Sequence, residues 1–314
     1  MAVRVTVVGE ALVDLVLGPE DDEPRAHPGG GPANIAVGLA RLGHQAVLLT
    51  CLGDDDHGRL VREHLVGNGV DVVDVGAPGS PTSTALARLD ARGVAAYEFD
   101  LVWDVRDLSV AQDSAALHVG SLGLALEPGD TAVLELTRRT SAAGDVLVSY
   151  DPNARPSLTP DRAAAAQRVL DVAALAHLVK CSDEDLEFLF PGTAPEDFAD
   201  RLLGLGSARL VVVTLGGDGV FLATAGGSLR LPPYAVDVVD TVGAGDSFMS
   251  GLLDGLARAG ALSPAAFAQL TADDPARVEP LARRAAAVAA ITCSRAGANP
   301  PRPDEVEEFL RQRA

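Results

Sequence analysis

Short apolar runs rich in β-branched residues alternate with amphipathic helical patterns along this chain, and this alternation limits the possible folds more than any other feature. The predicted strands span residues 3–8, 46–50, 115–119, 146–150, 178–180 and 210–214. The predicted helices between them span residues 33–42, 58–68, 128–143, 161–174 and 195–205, with apolar positions three and four apart. This order predicts an α/β fold in which a mostly parallel sheet lies between two layers of helices. Ligands of such folds bind beyond the carboxyl ends of the strands.

One segment departs from this alternation. Residues 83–101 alternate by twos around Ala91-Arg92-Gly93, which is typical of a β-hairpin. Together with the turn-rich stretch 17–27, the hairpin predicts a small sheet that covers the site as a lid. No composition shift or long linker divides the chain, so we expect a single domain over 1–314 with lid segments at about 10–28 and 83–101. Residues 263–279 predict a surface loop or a short helix.

Charge and composition exclude several classes of function. The chain has 25 basic and 44 acidic residues, a formal net charge of −19, and only 4% aromatic residues. Because such a chain repels phosphate backbones and anionic membrane surfaces, we expect no nucleic-acid or membrane partner. The three cysteines, Cys51, Cys181 and Cys293, form no C-x-x-C pair, which argues against a disulfide framework or a zinc site. With no run of about 20 apolar residues, the protein is expected in the cytoplasm.

The segment VDTVGAGDSFMSGLLDG at 239–255 carries the strongest chemical signal. Gly243-Ala244-Gly245 is a small-residue turn that leads directly into a predicted helix, so its backbone N–H groups point outward at the positive end of a helix dipole. Asp246 lies in the first turn of that helix. A carboxylate beside an anion site accepts a proton from an attacking hydroxyl, but an N-terminal helix carboxylate is also one of the commonest structural uses of aspartate.

A second glycine-rich turn, HPGGGPANIAVGLARLG at 27–43, also precedes a predicted helix. It lacks the G-x-x-x-x-G-K-[ST] pattern of a Walker A loop, and its contiguous glycines do not fit a G-x-G-x-x-G dinucleotide fingerprint. Lys180 is the only lysine in the chain and follows no glycine-rich loop. On its own residues the segment indicates either a second ligand-binding turn or a tight turn with a helix cap.

Polar residues also follow other predicted strands. Asp14 comes just past the first strand, where a carboxylate either binds vicinal sugar hydroxyls or caps a turn. The motifs DPNARP at 151–156 and TLGGDG at 214–219 follow two later strands, and the glycines of the second motif suit a flat ring lying against the backbone. Each motif alone is ordinary turn chemistry. All of them lie at strand carboxyl ends, where one crevice would collect them.

Two of these segments together resemble the signatures of a known family. GGGPANIAVGLARLG near the start and DTVGAGDSFMSG around Asp246, with Gly30 and Asp246 216 positions apart, look like the two signatures of the ribokinase-like, or PfkB, carbohydrate kinases. Weaker matches run from GEALVD at Gly9 to SRAGANPP at Ser294, so the resemblance covers nearly the whole chain. Segments such as DPNARPSL and KCSDEDLEFL look more like fructokinases than like other members. The resemblance implies the ribokinase-like three-layer fold and ATP-dependent phosphorylation of a sugar hydroxymethyl group.

The resemblance also implies roles for individual residues. Asp246 is expected to take the proton of the attacking hydroxyl, while the N–H groups of Gly243, Ala244 and Gly245 form an anion hole for the transferring phosphoryl group. The residues expected to bind the sugar are Asp14, Gly30, Gly31, Asn34, Tyr97, Phe99, Asn153 and Arg155. Those expected to bind the nucleotide are Ser182, Asp185, Thr214, Gly216 and Gly219. Mg²⁺ is expected to bridge the phosphates, and a monovalent cation, usually K⁺, is expected near Asp240, Val242 and Gly297.

Two places depart from the family pattern. The N-x-x-E metal and phosphate motif is Ser182-Asp183-Glu184-Asp185 here, so the shorter Asp185 is expected to organise Mg²⁺ through water. Gly31 and Pro32 differ from the G-K-G of ribokinases, which disfavours ribose. Without a Walker lysine, the charge of the transferring phosphoryl group has to be met by backbone dipoles, Mg²⁺ and an arginine.

The sequence leaves the acceptor open. We expect D-fructose, because of the fructokinase-like segments and because the negative field of the chain slows the approach of an acidic sugar. A 2-keto-3-deoxygluconate kinase is the first alternative, since Arg155 or a lid arginine such as Arg88 or Arg92 would face its carboxylate; nucleoside, aminoimidazole riboside and ribose kinases come next. A non-catalytic sensor is expected to have lost the G-A-G-D motif, which is intact here. A Rossmann oxidoreductase is expected to carry the G-x-G-x-x-G fingerprint, which this chain lacks. The expected partners are a sugar, ATP and, through the lid, a second copy of the chain.

Overall fold

The computed structural model describes residues 2–19, 21–90 and 95–313 and contains two β-sheets. The strands are β1 (Arg4–Val8), β2 (Leu12–Leu17), β3 (Arg25–Gly29), β4 (Gln45–Thr50), β5 (Asp71–Asp74), β6 (Thr84–Leu89), β7 (Ala95–Asp100), β8 (Ser114–Gly120), β9 (Leu147–Asp151), β10 (Leu178–Ser182), β11 (Leu210–Thr214), β12 (Val220–Thr224) and β13 (Gly227–Leu231). The central sheet has the order β13-β12-β11-β10-β9-β8-β1-β4-β5, and the small sheet has the order β3-β2-β6-β7. The predicted α/β fold with a mostly parallel sheet and a small second sheet is confirmed.

The central sheet is parallel from β5 across to β11, and β12 and β13 are added antiparallel at one edge. Alternate side chains pack into opposite helical layers: Ala46 and Leu48 of β4 into one, Val47 and Leu49 into the other. Both faces are therefore buried, which explains why the strands read as continuous apolar runs. Because the parallel strands point the same way, their carboxyl ends form one common edge.

Helices cover both faces of the central sheet. They are α1 (Gly31–Arg41), α2 (Asp56–Gly67), α3 (Gly129–Ala143), α4 (Arg162–Ala173), α5 (Asp183–Leu189), α6 (Pro195–Leu203), α7 (Ala244–Arg258), α8 (Pro264–Leu270), α9 (Glu279–Cys293) and α10 (Pro303–Arg311). The core on one side includes residues of α1, α2, α7, α8 and α9, and the core on the other includes residues of α3 to α6. The five predicted helices are confirmed to within two residues at each end. In the part of the chain that the structure describes, no helix is long and apolar enough to cross a membrane.

The small sheet is built from both predicted lid segments. Strands β2 and β3 come from the first segment and β6 and β7 from the second, with β2 parallel to β6. The Ser83 hydroxyl accepts the Val102 N–H at 2.9 Å, which ties together the two ends of the β6–β7 hairpin. The turn predicted at Ala91-Arg92-Gly93 lies outside the described residues. Asp14 lies within β2 and not in a turn, because the chain resumes strand pairing at Leu12.

Candidate active site

Polar groups from neighbouring strands meet at the carboxyl edge of the central sheet. Glu10 follows β1, Ser121 follows β8 and Asn153 follows β9. Ser121, Asn153 and Arg155 line a cavity of about 300 Å³ at this edge. A larger groove of about 490 Å³ lies near the opposite ends of β8 and β9, and no described residue that lines it belongs to the predicted site. The smaller cavity therefore adjoins the polar groups at this edge, although Asp246, Asn34 and Gly31 are not among the residues that line it.

Asp246 lies in the first turn of α7, where the Gly-Ala-Gly turn begins the helix. Gly243, just before the helix, has a φ of 74°, a left-handed conformation that favours glycine. Asp246 is 9% exposed, and its Oδ2 accepts an N–H from Asn34 Nδ2 at 2.9 Å. Burial raises the pKa of the Asp246 carboxyl to about 6, against the lowering effects of the Asn34 hydrogen bond and of Lys180. At neutral pH the group is therefore ionised, yet more basic than an exposed aspartate, which suits proton abstraction.

The backbone N–H groups at the start of α7 are only partly open to a ligand. The Ala244 N–H donates to the Thr241 carbonyl at 3.1 Å. Among the described residues, the N–H groups of Gly243, Gly245 and Asp246 donate no hydrogen bond. Of the three N–H groups expected to form the anion hole, the one of Ala244 is thus already used to close the turn, and the one of Asp246 is open in addition to the other two.

Lys180 is a functional candidate that the sequence analysis does not identify. It lies in β10, is 3% exposed, and its Nζ donates to Asp151 Oδ2 at 2.7 Å. A Cβ added at Gly245 would lie 3.1 Å from this Nζ, so the ammonium group lies against the Gly-Ala-Gly turn. Although burial lowers it, the pKa of Lys180 is raised overall by the charge and hydrogen bond of Asp151. The sequence does contain a signal, because the chain's only lysine occurs inside an apolar strand, where a charge is rarely needed for packing.

Four hydrogen-bonded side chains, here called the Glu10 network, cross the ends of three strands. Ser121 Oγ donates to Glu10 Oε1 at 2.7 Å, and Asn153 Nδ2 donates to Ser121 Oγ at 3.4 Å. Arg155 Nη1 donates to Asn153 Oδ1 at 2.6 Å. Asn153 and Arg155 are among the predicted residues, whereas Glu10 and Ser121 are not, although Glu10 lies in the GEALVD segment that resembles the family.

The start of α1 brings backbone close to Asp246. A Cβ added at Gly31 would lie 2.6 Å from Asn153 Nδ2 and 3.3 Å from Asp246 Oδ1, so a side chain there would displace its neighbours. The carbonyl of Gly30 accepts the N–H of Asn34 at 2.9 Å and so starts the helix that presents the Asn34 side chain. The structure therefore brings Gly30, Gly31 and Asn34, all predicted to bind the sugar, together with Asp246.

The small sheet turns one face toward this edge. Asp14 pairs in register with Ala85, and Ala85 pairs with Phe99, so the three side chains point to the same face. Phe99 packs against an apolar cluster of Leu12, Ala85 and Leu122, and Leu122 belongs to the turn after β8. Tyr97 is 60% exposed and stacks on Phe99 with the ring centroids 5.9 Å apart. Burial raises the pKa of the Asp14 carboxyl, as expected for a side chain partly enclosed by this face.

The arginines considered for an acidic acceptor differ in availability. Arg88 pairs with Glu98 at 2.8 Å, and Arg106 pairs with an aspartate two residues earlier at 3.2 Å. Arg92 lies outside the described residues. Among these candidates Arg155 lines the cavity, and its Nη1 donates to the backbone and side-chain oxygens of Asn153 and to the carbonyl of residue 154. Each described candidate therefore already has acceptors of its own.

Ser182 and Asp185 form a capping box at the start of α5. The Ser182 hydroxyl accepts the Asp185 N–H at 3.0 Å, while the two oxygens of Asp185 accept the N–H groups of Ser182 at 3.2 Å and of Ala154 at 2.7 Å. Burial raises the pKa of the Asp185 carboxyl. Among the described residues, no group of three or more His, Cys, Asp or Glu side chains could hold a metal ion. This donor set fits Mg²⁺ that arrives with a nucleotide, because Mg²⁺ keeps several waters and binds substrate phosphates.

The residues predicted to bind the nucleotide at 214–219 lie at the turn after β11. Thr214 ends β11, and the turn after it is closed by the Leu215 N–H, which donates to the Gly219 carbonyl at 2.8 Å; Gly216 within this turn is exposed.

Asp240, Val242 and Gly297 form a cluster just before α7. The Asp240 carboxylate accepts the N–H groups of Val242 at 3.0 Å and of Gly297 at 2.8 Å. These bonds lower the pKa of Asp240 and keep it anionic. The three residues are thus neighbours as predicted, while the binding of a cation there stays a prediction.

Comparison with known proteins identifies the family. The family described as pfkB family carbohydrate kinase matches residues 3–305. Fructokinase-1 from Oryza sativa subsp. japonica is 35% identical and covers 96% of this chain and 95% of its own. A fructokinase double mutant from Vibrio cholerae O395, solved in its fructose-, ADP- and potassium-bound form, has a TM-score of 0.79 at 28% identity over 98% of each chain. Aminoimidazole riboside kinase from Salmonella enterica, complexed with aminoimidazole riboside and an ATP analog, has a TM-score of 0.77 at 32% identity over 98% of this chain and 99% of its own. Since the match spans nearly all of the sequence and both sheets, the chain belongs to the pfkB family of carbohydrate kinases.

Proposed function

We propose that this sugar kinase transfers the terminal phosphoryl group of ATP to the hydroxymethyl group of D-fructose. The observation that carries the choice of fructose is the chemistry of the acceptor side. Asn34, Asn153 and Asp14 offer hydrogen-bonding partners for the hydroxyls of a neutral sugar, whereas Nη1 of Arg155 is already bonded to three oxygens of its own loop. The carboxylate of an acidic acceptor would also lie near the carboxylates of Asp14 and Asp246, and this repulsion disfavours such an acceptor.

Asp246 acts as the general base in this proposal. Its carboxylate takes the proton of the sugar hydroxyl while the sugar oxygen bonds to the terminal phosphorus and the bond from that phosphorus to the ADP oxygen breaks. The hydrogen bond from Asn34 at 2.9 Å holds the carboxylate in place. A pKa of about 6 keeps the group ionised at pH 7 and basic enough to accept the proton.

The start of α7 is proposed to bind the transferring phosphoryl group. The open N–H groups of Gly243, Gly245 and Asp246 supply fixed dipoles for its charge. The ammonium group of Lys180 lies against Gly245 of this turn, and its pairing with Asp151 fixes its position. Lys180 is thus a positioning residue in this scheme.

The nucleotide is proposed to lie on the turn at 214–219. Mg²⁺, when bound, neutralises charge on the phosphate oxygens. Since both oxygens of Asp185 already accept backbone N–H groups, Asp185 would act on the ion through water rather than as a direct ligand. A monovalent cation is proposed beside Asp240, and the potassium-bound form of the Vibrio cholerae fructokinase supports this choice.

We further propose that the small sheet closes over the bound sugar within a single domain and excludes water from the transfer. The packing of Phe99 against the cluster of Leu12, Ala85 and Leu122 supports this role. Strands β3 and β7 are the edges of this sheet, and a homodimer through it remains part of the proposal.

One observation favours a second acceptor. The exposed Tyr97, stacked on Phe99, suits a planar ring, and the Salmonella enterica kinase has aminoimidazole riboside bound.

The rate of ADP release, measured with fructose, 2-keto-3-deoxygluconate, aminoimidazole riboside and ribose, decides among the acceptors. We expect the highest kcat/KM with fructose. If the ratio of kcat/KM for fructose to that for either of the next two acceptors lies below one, fructose is not the preferred substrate.

A further inference from the structure

Glu10 is a buried acid for which the proposed reaction has no use. It follows β1 and is 6% exposed. Its Oε1 accepts the Ser121 hydroxyl at 2.7 Å, but its Oε2 is buried without a hydrogen-bond partner among the described residues. A buried carboxyl with an unpaired oxygen destabilises the fold, and a residue kept only for packing would be apolar. Glu10 is therefore better explained by a role at the site.

Two residues of the Glu10 network are held in unusual backbone conformations. Ser121 has a φ of 52° and Asn153 a φ of 41°, both in the left-handed region that non-glycine residues seldom adopt. The hydrogen bonds of the Glu10 network join these two residues to each other and to their neighbours. Ser121 on one side and Arg155 on the other thus fix the orientation of the Asn153 amide.

This network ends beside the reacting carboxylate. The Cβ position of Gly31 lies 2.6 Å from Asn153 Nδ2, 3.6 Å from Ser121 Oγ and 3.3 Å from Asp246 Oδ1. Asn153, Ser121 and Asp246 therefore surround the same small space. A sugar whose hydroxyl reaches Asp246 has the Asn153 amide within reach.

We propose that Glu10 is a positioning residue that orients the Asn153 amide toward the acceptor sugar through Ser121, and that protonation of Glu10 weakens sugar binding. The proposal rests on the proposed function, in which Asn153 holds the sugar. Ionised Glu10 accepts the Ser121 O–H, which leaves the lone pairs of Ser121 Oγ for the Asn153 N–H. Protonated Glu10 can donate to Ser121 Oγ instead and compete with that N–H.

The charge of Glu10 changes near neutral pH. Burial raises the pKa of the Glu10 carboxyl to about 7, against the lowering effect of the Ser121 hydrogen bond. Two charged groups act on it from neighbouring elements: Arg155, after β9, lowers its pKa, and Asp246, on α7, raises it. Sugar affinity should therefore fall as the pH falls through about 7. The change expected from one hydrogen bond to a charged group is about tenfold.

The first test measures the KM for fructose from pH 5.5 to pH 8.5. We expect the wild-type KM to be about tenfold higher at pH 5.5 than at pH 8.5. Glu10→Gln, whose amide donates to Ser121 as the protonated acid does, should have the high KM at every pH, with kcat at pH 8.5 within about threefold of wild type. Asp254→Asn is the matched control, because Asp254 is also buried but pairs with Arg284 at 2.5 Å outside the network, and it is not among the residues that line the cavity. Its KM should follow the wild-type profile. A wild-type profile in Glu10→Gln, or a flat profile in the wild type, would overturn the proposal.

The second test needs no sugar. The chain has four asparagines, so the side-chain amide signals of Asn153 in a ¹⁵N–¹H spectrum can be assigned by comparison with Asn153→Asp. We expect these signals to shift with a midpoint near pH 7 in the wild type and in Asp246→Asn, but not in Glu10→Gln. If they shift in this way while fructose is not phosphorylated, the acceptor assignment fails and the role of Glu10 stands. If fructose is phosphorylated but the signals do not shift, the role of Glu10 is wrong and the proposed function stands.

Discussion

Replacement of Asp246 by asparagine should stabilise the protein at neutral pH while it removes activity. Burial raises the pKa of this carboxyl from an ordinary 3.8 to about 6, so the folded protein holds the proton more tightly than the unfolded chain. Stability is therefore greatest when the carboxyl is protonated, and it is lost as the pH rises from about 3.8 to about 6. At about 1.4 kcal/mol for each tenfold change in proton affinity, the loss at pH 7.5 is about 3 kcal/mol.

Asparagine has nearly the shape of aspartate and no charge, so it reproduces the protonated state at every pH. We expect Asp246→Asn to have a free energy of unfolding about 3 kcal/mol above wild type at pH 7.5 and about 1 kcal/mol above it at pH 4.5. Urea denaturation at the two pH values measures both differences. The kcat of the variant should fall by roughly 10²–10⁴ if the carboxylate is the general base.

Asp130→Asn is the control for stability. Asp130 is 5% exposed but pairs with Arg168 at 2.9 Å, so removing its charge should lower stability at pH 7.5. The burial argument is refuted if Asp246→Asn is no more stable than wild type at pH 7.5, or if its gain is the same at pH 4.5. Turnover close to that of wild type would remove Asp246 from the role of base.

The buried ion pair, the space at Gly31 and the small sheet provide three further tests. Lys180→Met leaves Asp151 charged and buried, so the free energy of unfolding, measured in urea, should fall by about 3–5 kcal/mol. The addition of Asp151→Asn should restore much of this loss. Equal losses in the single and the double variant would contradict the argument. Gly31→Ala places a Cβ 2.6 Å from Asn153 Nδ2 and should raise the sugar KM roughly tenfold, and an unchanged KM would show that this space is not used. Hydrogen exchange over Thr84–Leu89 should slow at saturating sugar, whereas unchanged protection would mean that the small sheet is not a lid.

The sequence alone determined the class of fold and the place of the proposed base. Strands and helices follow from periodicities of two and about 3.6 residues, which are local properties of the chain. The turn before Asp246 could also be recognised locally, because glycine at 243 permits the left-handed φ of 74° that starts α7. Together with the order of the two glycine-rich segments, these features predicted the family before any contact was known.

The tertiary structure decided which polar groups share one buried space. Asn34 and Asp246 are 212 residues apart, Glu10 and Ser121 are 111 apart, and Lys180 lies 29 residues from Asp151. No local pattern specifies such pairs, because they depend on the strand order that places β1, β8, β9 and β10 side by side. The same contacts set burial, and burial sets the pKa values near 6 and 7 of Asp246 and Glu10. Residue types could therefore be read from the chain, but their proton affinities arise only when the strand ends meet.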